Sequence, residues 1–469
     1  CGRSGARTFF LAKKRAFLSR TCTSAHMKSP ALIVALVLCL VTCLDAAGCK
    51  SKSPDYGTPN MLEILEGSSL MTAYKSVPNG KSYRVTVPGA GSVGPQSYYV
   101  AHLYGTPYEM GFAQGQMYDG MVGDFIMSVW KYLEGQVESA LPGTFPEWFK
   151  KLLADVGLEA ALDMTEYWTR PYTGQHIYDE LRGLSDGGHV DYMTLVRVHM
   201  LASVTQGKCS MIGAWGAAVA ESGSLIQARS LDWDMDGPFR DYSAITVYHP
   251  NKDGSNGHAF VNVGIMGFLG GLTGMSEAQL GISEIGVSYP DVTFGNESRV
   301  GVPFIFLLRD ILQFDYTLDD AINRMANAPR TCDLILGVGD GKLGYFRAFQ
   351  YSHSYLRVQD DLNMMPYNTT WHPRIKNMVY YGMDWICPSY NYVLSQQLNK
   401  YWGKFTPENG IRYVTPVEKS GDNHAAYYDL TKQNLFVSFA APRGSAGSLA
   451  AYDRQWVKYD VRSLLRETL

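Results

Sequence analysis

Gly207-Lys208-Cys209-Ser210-Met211 is followed, after a run of small residues, by Arg229-Ser230-Leu231-Asp232-Trp233. Between the two lies Glu221-Ser222-Gly223-Ser224, a turn signal, so the segment predicts a strand, a turn and a second strand. A thiol opens the first strand, and an arginine and an aspartate three residues apart stand near the end of the second. A free thiol has a pKa of about 8.5 and carries little thiolate at neutral pH unless a base or a cation sits beside it. The guanidinium of Arg229 would supply that cation. A lone cysteine is more often a small buried hydrophobe, and an Arg-x-x-Asp pair is often a surface ion pair. The hairpin therefore gains meaning only from the rest of the chain.

Upstream, residues 1–26 are basic, hold no acidic residue and show no clear periodicity, and they read as an extension outside the fold. Met27-Lys28-Ser29-Pro30, the apolar run Ala31 to Leu44 and the small residues Ala46-Ala47-Gly48 have the layout of a secretory signal peptide over 27–47. That run is too short to span a bilayer comfortably, and no later segment is longer and more apolar. A secreted or lysosomal lumenal protein is expected. The sequons Asn296-Glu297-Ser298 and Asn368-Thr369-Thr370 are compatible with that route. Net charge is −3 with no basic stripe, which excludes nucleic acid as the expected partner.

The two sides of the hairpin differ in texture. Residues 97–104 alternate like a strand and lead into Gly105-Thr106-Pro107-Tyr108-Glu109-Met110-Gly111-Phe112-Ala113-Gln114-Gly115. Thr106, Pro107 and Glu109 spell a helix N-terminus: a capping hydroxyl, a first-turn proline and an acid three residues on. Gly111 and Gly115 give one face of that helix a flat patch for close packing. A phosphate-binding loop is excluded because no Gly-Lys-Ser/Thr follows. From 118 to about 205 the period is helical, broken at Pro142 and at Ser185-Asp186-Gly187-Gly188. Residues 48–208 thus read as a mostly helical N-terminal part. After Cys209 the pattern is strand-rich: 225–231, 243–249, 259–265, 280–285, 332–338, 344–350 and a hairpin from Ala425–Asp429 to Leu435–Ala440. Helices are expected over 302–314 and 317–327. Strands, a helical pair and strands again suit an α+β, four-layer αββα sandwich over 209–469.

These features together resemble the amidase branch of the N-terminal nucleophile (Ntn) hydrolases, the superfamily of acid ceramidase, choloylglycine hydrolase and the penicillin acyltransferases. The likeness is carried by Gly105–Gly115, by Cys209 with Arg229 and Asp232, and by Gly421-Asp422-Asn423-His424-Ala425-Ala426-Tyr427-Tyr428-Asp429-Leu430. The resemblance implies autocatalytic cleavage between Lys208 and Cys209, with the new α-amine acting as base for the thiol. It implies that Arg229 stabilises the thiolate and that Asp232 holds the α-ammonium or its water. It further implies a functional glutamate near Glu284, with Ser283 or Gly286 as alternative occupants. An oxyanion-donating asparagine is implied at Asn368, with Asn363 as the alternative. Acid ceramidase joins its two processed pieces by a disulfide, and Cys49 with Cys387 fits that arrangement. Cys332 is read as a buried thiol, Arg374 as a surface arginine with a second arginine of the site as the alternative, and Asn423-His424 as structural with lining of the pocket as the alternative.

Asn368 cannot be both glycosylated and catalytic, so Asn296 is the expected glycosylation site. Asp232-Trp233-Asp234-Met235-Asp236-Gly237 mimics half a calcium loop, but Ser243 stands where the closing glutamate would be. No metal and no cofactor is expected. The function implied is a self-processing cysteine amidohydrolase acting on a linear amide of an N-acyl lipid or N-acyl amino acid. The two cleavage products are expected to stay together, and contact with a lipid surface to be transient. Acyl transfer, phospholipase-B-like ester hydrolysis and a catalytically silent lumenal binding protein are the alternatives.

Overall fold

The computed structural model describes residues 56–90, 93–138, 147–202, 208–235, 237–250, 257–286, 292–383, 388–442 and 450–469. The expected signal peptide, Cys49 and Cys387 lie outside those residues. Before the Cys209 hairpin run β1 (Leu65–Glu66), β2 (Met71–Val77), β3 (Gly80–Val87) and β4 (Gln96–Gly105). The hairpin is β5 (Lys208–Trp215) and β6 (Leu225–Asp232). There follow β7 (Ser243–Pro250), β8 (Phe260–Ile265), β9 (Gly274–Ser276), β10 (Leu280–Gly286), β11 (Leu334–Asp340), β12 (Tyr345–Tyr351) and β13 (Leu356–Gln359). The last strands are β14 (Met378–Tyr381), β15 (His424–Asp429), β16 (Asn434–Phe439) and β17 (Val457–Asp460).

These strands form two sheets. A seven-stranded sheet runs β1-β17-β16-β15-β6-β5-β14, and a ten-stranded sheet runs β13-β12-β11-β10-β9-β8-β7-β4-β3-β2. They pack face to face. A Cβ on Gly213 of β5 would fall 2.2 Å from the Phe346 ring of β12, so the close approach of the sheets there requires glycine. Helices cover the outer faces, which makes the molecule an α+β protein of four layers. On the ten-stranded side they are α1 (Pro107–Met117), α2 (Met121–Glu138), α3 (Glu147–Val156), α4 (Leu158–Thr169), α5 (Gln175–Gly188), α6 (Tyr192–Ala202), α7 (Phe304–Phe314) and α8 (Leu318–Asn327). The seven-stranded sheet is covered by α9 (Pro388–Tyr401) and by short turns over 407–418.

The cap of α1 is as its sequence predicts: Thr106 accepts from the Glu109 N–H, and Glu109 accepts from the Thr106 N–H. The flat glycine patch also has its partner. A Cβ on Gly111 would lie 2.0 Å from the Glu180 carbonyl oxygen of α5, and one on Gly183 equally close to the Tyr108 carbonyl of α1. Gly187-Gly188, expected as a break, instead forms the last turn of α5, with His189 in the left-handed conformation after it. These glycines let two backbones touch, and that packing outweighs their poor helix propensity.

The N-terminal part is more than helices. β2–β4 form one edge of the ten-stranded sheet, with β4 parallel to β7, and β1 runs parallel to β17 in the other sheet. Both sheets therefore contain strands from each side of the Lys208–Cys209 bond.

Candidate functional site

The register of the hairpin builds the site. Cys209 pairs with Leu231, Met211 with Arg229, Ser210 with Ser230 and Lys208 with Asp232. Successive side chains on a strand point to opposite faces. Met211 and Gly213 face the other sheet, so Cys209 and Arg229 share the inter-sheet face, while Ser210 and Asp232 point towards the helical layer behind it.

Arg229 is fully buried and spends its donors within the site. Nη2 lies 3.2 Å from Cys209 Sγ and 3.0 Å from Glu284 Oε2, near the end of β10. Nε donates to the Glu284 carbonyl at 3.3 Å, and Nη1 to Thr273 Oγ1 at 3.1 Å. His424 Nε2 stands 3.3 Å from Nη1 and 3.0 Å from Thr273 Oγ1. Burial and the neighbouring guanidinium hold His424 well below the usual histidine range, so it is a neutral acceptor. Burial raises the Glu284 carboxyl, and Arg229 counters it.

Burial pushes the Cys209 thiol up to about 12; Arg229 pulls it down, while Glu284 and Asp232 push it further up. The thiol is therefore protonated at neutral pH, and it accepts from the Asp232 backbone N–H. The Cys209 N–H itself donates to the Met383 carbonyl at 3.0 Å, and Met383 sits at a positive φ of 46°. A bulky residue held there is strained backbone beside Cys209.

Asp232 occupies the opposite face. Its Oδ1 accepts the N–H groups of Gly421 and Asp422 at 2.7 and 3.1 Å, and its Oδ2 accepts from Ser420 Oγ at 2.5 Å. Burial, then the nearby Asp422, pushes its carboxyl up to about 7.

Cys209, Arg229 and Glu284 line one cavity, whose other walls are apolar: Phe125 and Val129 of α2, Leu201 of α6, Phe268, Leu272 and Phe304 among them. Its volume is about 90 Å3. Trp233 also lines it, and its indole N–H is buried without a partner. Helices from before the Lys208–Cys209 bond and strands from after it thus share one pocket.

The structure brings Cys209, Arg229 and Glu284 together at the cavity and sets the Asp232 carboxylate on the reverse face of the same hairpin. Asn368 does not line the cavity; its Oδ1 accepts from the N–H groups of Thr370 and Trp371 in its own loop. Asn363 likewise caps its own turn through Asp360. Asn296 is exposed. Cys332 is a free, partly buried thiol, and Arg374 donates to the Met364 carbonyl away from the cavity. Among the described residues no group of three His, Cys, Asp or Glu side chains could hold a metal. Thr273, Ser210, Ser420 and Glu418 were invisible in the sequence, because each reaches the site only by strand register or from a loop distant along the chain.

No family model matches the chain. Among solved structures it is similar to a Caenorhabditis elegans N-acylethanolamine-hydrolyzing acid amidase ortholog (TM-score 0.36, 15% identity, 48% of this chain and 93% of that one). It is also similar to a penicillin V acylase from Agrobacterium tumefaciens (TM-score 0.34, 15% identity, 50% and 83%). Scores this low carry no argument about function. Sequence relatives are nearer. Protein dcd1A of Dictyostelium discoideum is 32% identical over 454 residues, covering 93% of this chain and 98% of its own length. Protein dcd1B of the same organism is 33% identical over 372 residues, covering 78% and 71%. An uncharacterized protein of Archaeoglobus fulgidus is 27% identical over 272 residues, covering 52% and 41%. With that identity sustained over nearly the whole of dcd1A, the chain belongs to the family of the Dictyostelium discoideum proteins dcd1A and dcd1B.

Proposed function

We propose that the chain is a self-processing cysteine amidohydrolase, cut between Lys208 and Cys209, that cleaves a linear amide of an N-acyl lipid or N-acyl amino acid. The observation that carries this reading is one juxtaposition: a thiol 3.2 Å from a buried guanidinium, at the wall of an apolar cavity. In the uncut chain that thiol has no base and stays protonated. Cleavage would free an α-amine with a pKa of about 7.7–8, on the same residue as the thiol. The amine takes the thiol proton, Arg229 stabilises the thiolate, and Asp232 balances the α-ammonium. The thiolate attacks the amide carbon, the ammonium gives its proton to the leaving amine, and a thioester remains. Water then attacks the thioester, with the amine again taking a proton, and releases the acid.

The apolar walls suit an acyl chain. The unpartnered Trp233 N–H is a donor available to a carbonyl oxygen in the cavity, in the manner of an oxyanion donor. Because both sheets and the cavity draw on each side of the bond, the two pieces stay associated after the cut. In this reading the protein works in the secretory route or the lysosome, with the exposed Asn296 glycosylated.

The test is to trap the thioester. The processed protein is mixed with N-acyl amides of graded chain length, quenched in acid and mapped by mass. An acyl group on the peptide beginning at Cys209 is expected, with amine release abolished in Cys209→Ala. Amine release that persists in Cys209→Ala would overturn the reading.

A further inference from the structure

Behind the nucleophile strand, on the face away from the cavity, a second buried carboxyl is tied to Asp232. Ser420 Oγ lies 2.5 Å from Asp232 Oδ2 and 2.7 Å from Ser210 Oγ, and Ser210 Oγ lies 2.7 Å from Glu418 Oε1. Glu418, Ser420, Ser210 and Asp232 are all buried. Three oxygen–oxygen links need three protons, and two hydroxyls supply two. One carboxyl must hold the third. Asp232 already accepts two backbone N–H groups at its other oxygen, which favours its charged form, so the proton rests on Glu418. Ser210 Oγ also accepts from the Met383 N–H at 2.8 Å.

We propose that Glu418 is a positioning residue that holds the one proton of the chain linking it to Asp232 through Ser210 and Ser420, so that Asp232 stays an anion beside the Cys209 α-amine. This rests on the amidohydrolase reading for its purpose, but the shared proton itself is a property of the uncut chain. With the proton on Glu418, Asp232 is the anion whether the neighbouring nitrogen is the peptide N–H of the uncut chain or the ammonium of the cut one. The groups facing Glu418 are Asp232 from β6 and Tyr427 from β15, and Asp422, with Asp453 behind it, faces Asp232. Among the described residues no Lys, Arg or His bridges Glu418, which leaves a shared proton as the means of keeping it buried. Burial, against the Ser210 hydrogen bond, raises its carboxyl well above the ordinary range, in keeping with that placement.

The first experiment needs no activity. Difference infrared spectra of uncut Cys209→Ala, with and without Glu418→Gln, read the carbonyl stretch of a buried protonated carboxyl at neutral pH. A band that disappears in Glu418→Gln is expected. Its absence, or its survival in Glu418→Gln, would overturn the shared proton. The glutamine keeps an N–H for Ser210 but has no transferable proton, so the fold is retained. The second experiment uses processed enzyme. Glu418→Gln and Ser210→Ala should each lower kcat about tenfold and shift the acid limb of its pH profile, and the double variant should be no worse than either alone. Profiles that overlay the unaltered enzyme, or additive losses, would overturn the positioning role. Absence of amide hydrolysis by the unaltered protein would sink the amidohydrolase reading instead, while the infrared result would still decide the shared proton.

Discussion

Replacing Glu284 separates the stability of the site from its chemistry. Arg229 is fully buried and Glu284 nearly so, at 3.0 Å. Removing one partner of a buried pair costs roughly 3–5 kcal/mol, because a charge is left in a medium that solvates it poorly. Arg229 keeps donors on Thr273 Oγ1, the Glu284 carbonyl and Cys209 Sγ, so Glu284→Ala belongs at the lower end, about 3 kcal/mol. Glu284→Gln retains an acceptor and should lose about 1–2 kcal/mol, the difference between a charged and a neutral hydrogen bond. The thiol moves the other way. Glu284 is one of the groups pushing Cys209 up, and Arg229 pulls it down. Without the carboxylate, the thiolate becomes more populated at any pH below its pKa, and each unit of lowering is tenfold in thiolate. Urea unfolding and the pH dependence of alkylation by a small reagent, both on uncut chain, measure the two effects. A weaker fold with a faster thiol is the predicted pair of results. A loss under about 1 kcal/mol in Glu284→Ala, the range of an exposed pair, would refute the claim that this pair holds Arg229 in place. An unchanged or slower thiol would refute the electrostatics.

Asp333 tests pH linkage away from the site. Burial, with Glu297 nearby, pushes its carboxyl up to about 7, and its Oδ1 is buried without a partner. The folded state therefore keeps a proton that the unfolded chain loses near pH 4, and stability contributed by this group is full below that and falls as pH rises towards 7. Asp333→Asn should be nearly neutral in acid and stabilising above pH 7, by a few kcal/mol at most after allowance for partial solvent screening. Urea midpoints at two pH values check it, and equal effects at both would contradict it. Gly111→Ala should destabilise by about 2 kcal/mol or more, since its Cβ meets backbone 2.0 Å away. Gly123→Ala, whose nearest neighbour is a Val190 methyl at 3.8 Å, should be neutral or slightly stabilising in the same assay. In processed enzyme, Leu201→Trp should fill the apolar cavity and depress kcat/KM for long N-acyl amides more than for short ones; a uniform effect would place the acyl chain elsewhere.

Many strands were legible because short apolar, β-branched runs bounded by turn signals mark strands buried on both faces, as in β6, β7 and β10. The readings at 97–104, 225–231, 243–249 and 280–285 fall within β4, β6, β7 and β10. β2 was not legible: it is an edge strand whose side chains are mostly exposed, so its sequence has no reason to alternate. β14 is four residues long, too short for a period to emerge. Within the site, Cys209, Arg229 and Asp232 were readable because one hairpin carries all three, and hairpin register is local. Glu284 needed the packing of a second sheet on the first. Thr273, His424, Ser420 and Glu418 reach the site from separate loops and strands, and no local pattern announces such a convergence. Asn368 shows the reverse: a sequence neighbourhood that promised a donor, in a loop whose side-chain oxygen is used to hold its own turn.

Self-cleavage of the Lys208–Cys209 bond is read by intact-mass and N-terminal analysis of purified protein after incubation at acidic pH, beside Cys209→Ala. A fragment beginning at Cys209, still associated with its N-terminal partner and absent from the variant, is the predicted result. A chain that remains whole, or the same cut in both proteins, would contradict the account.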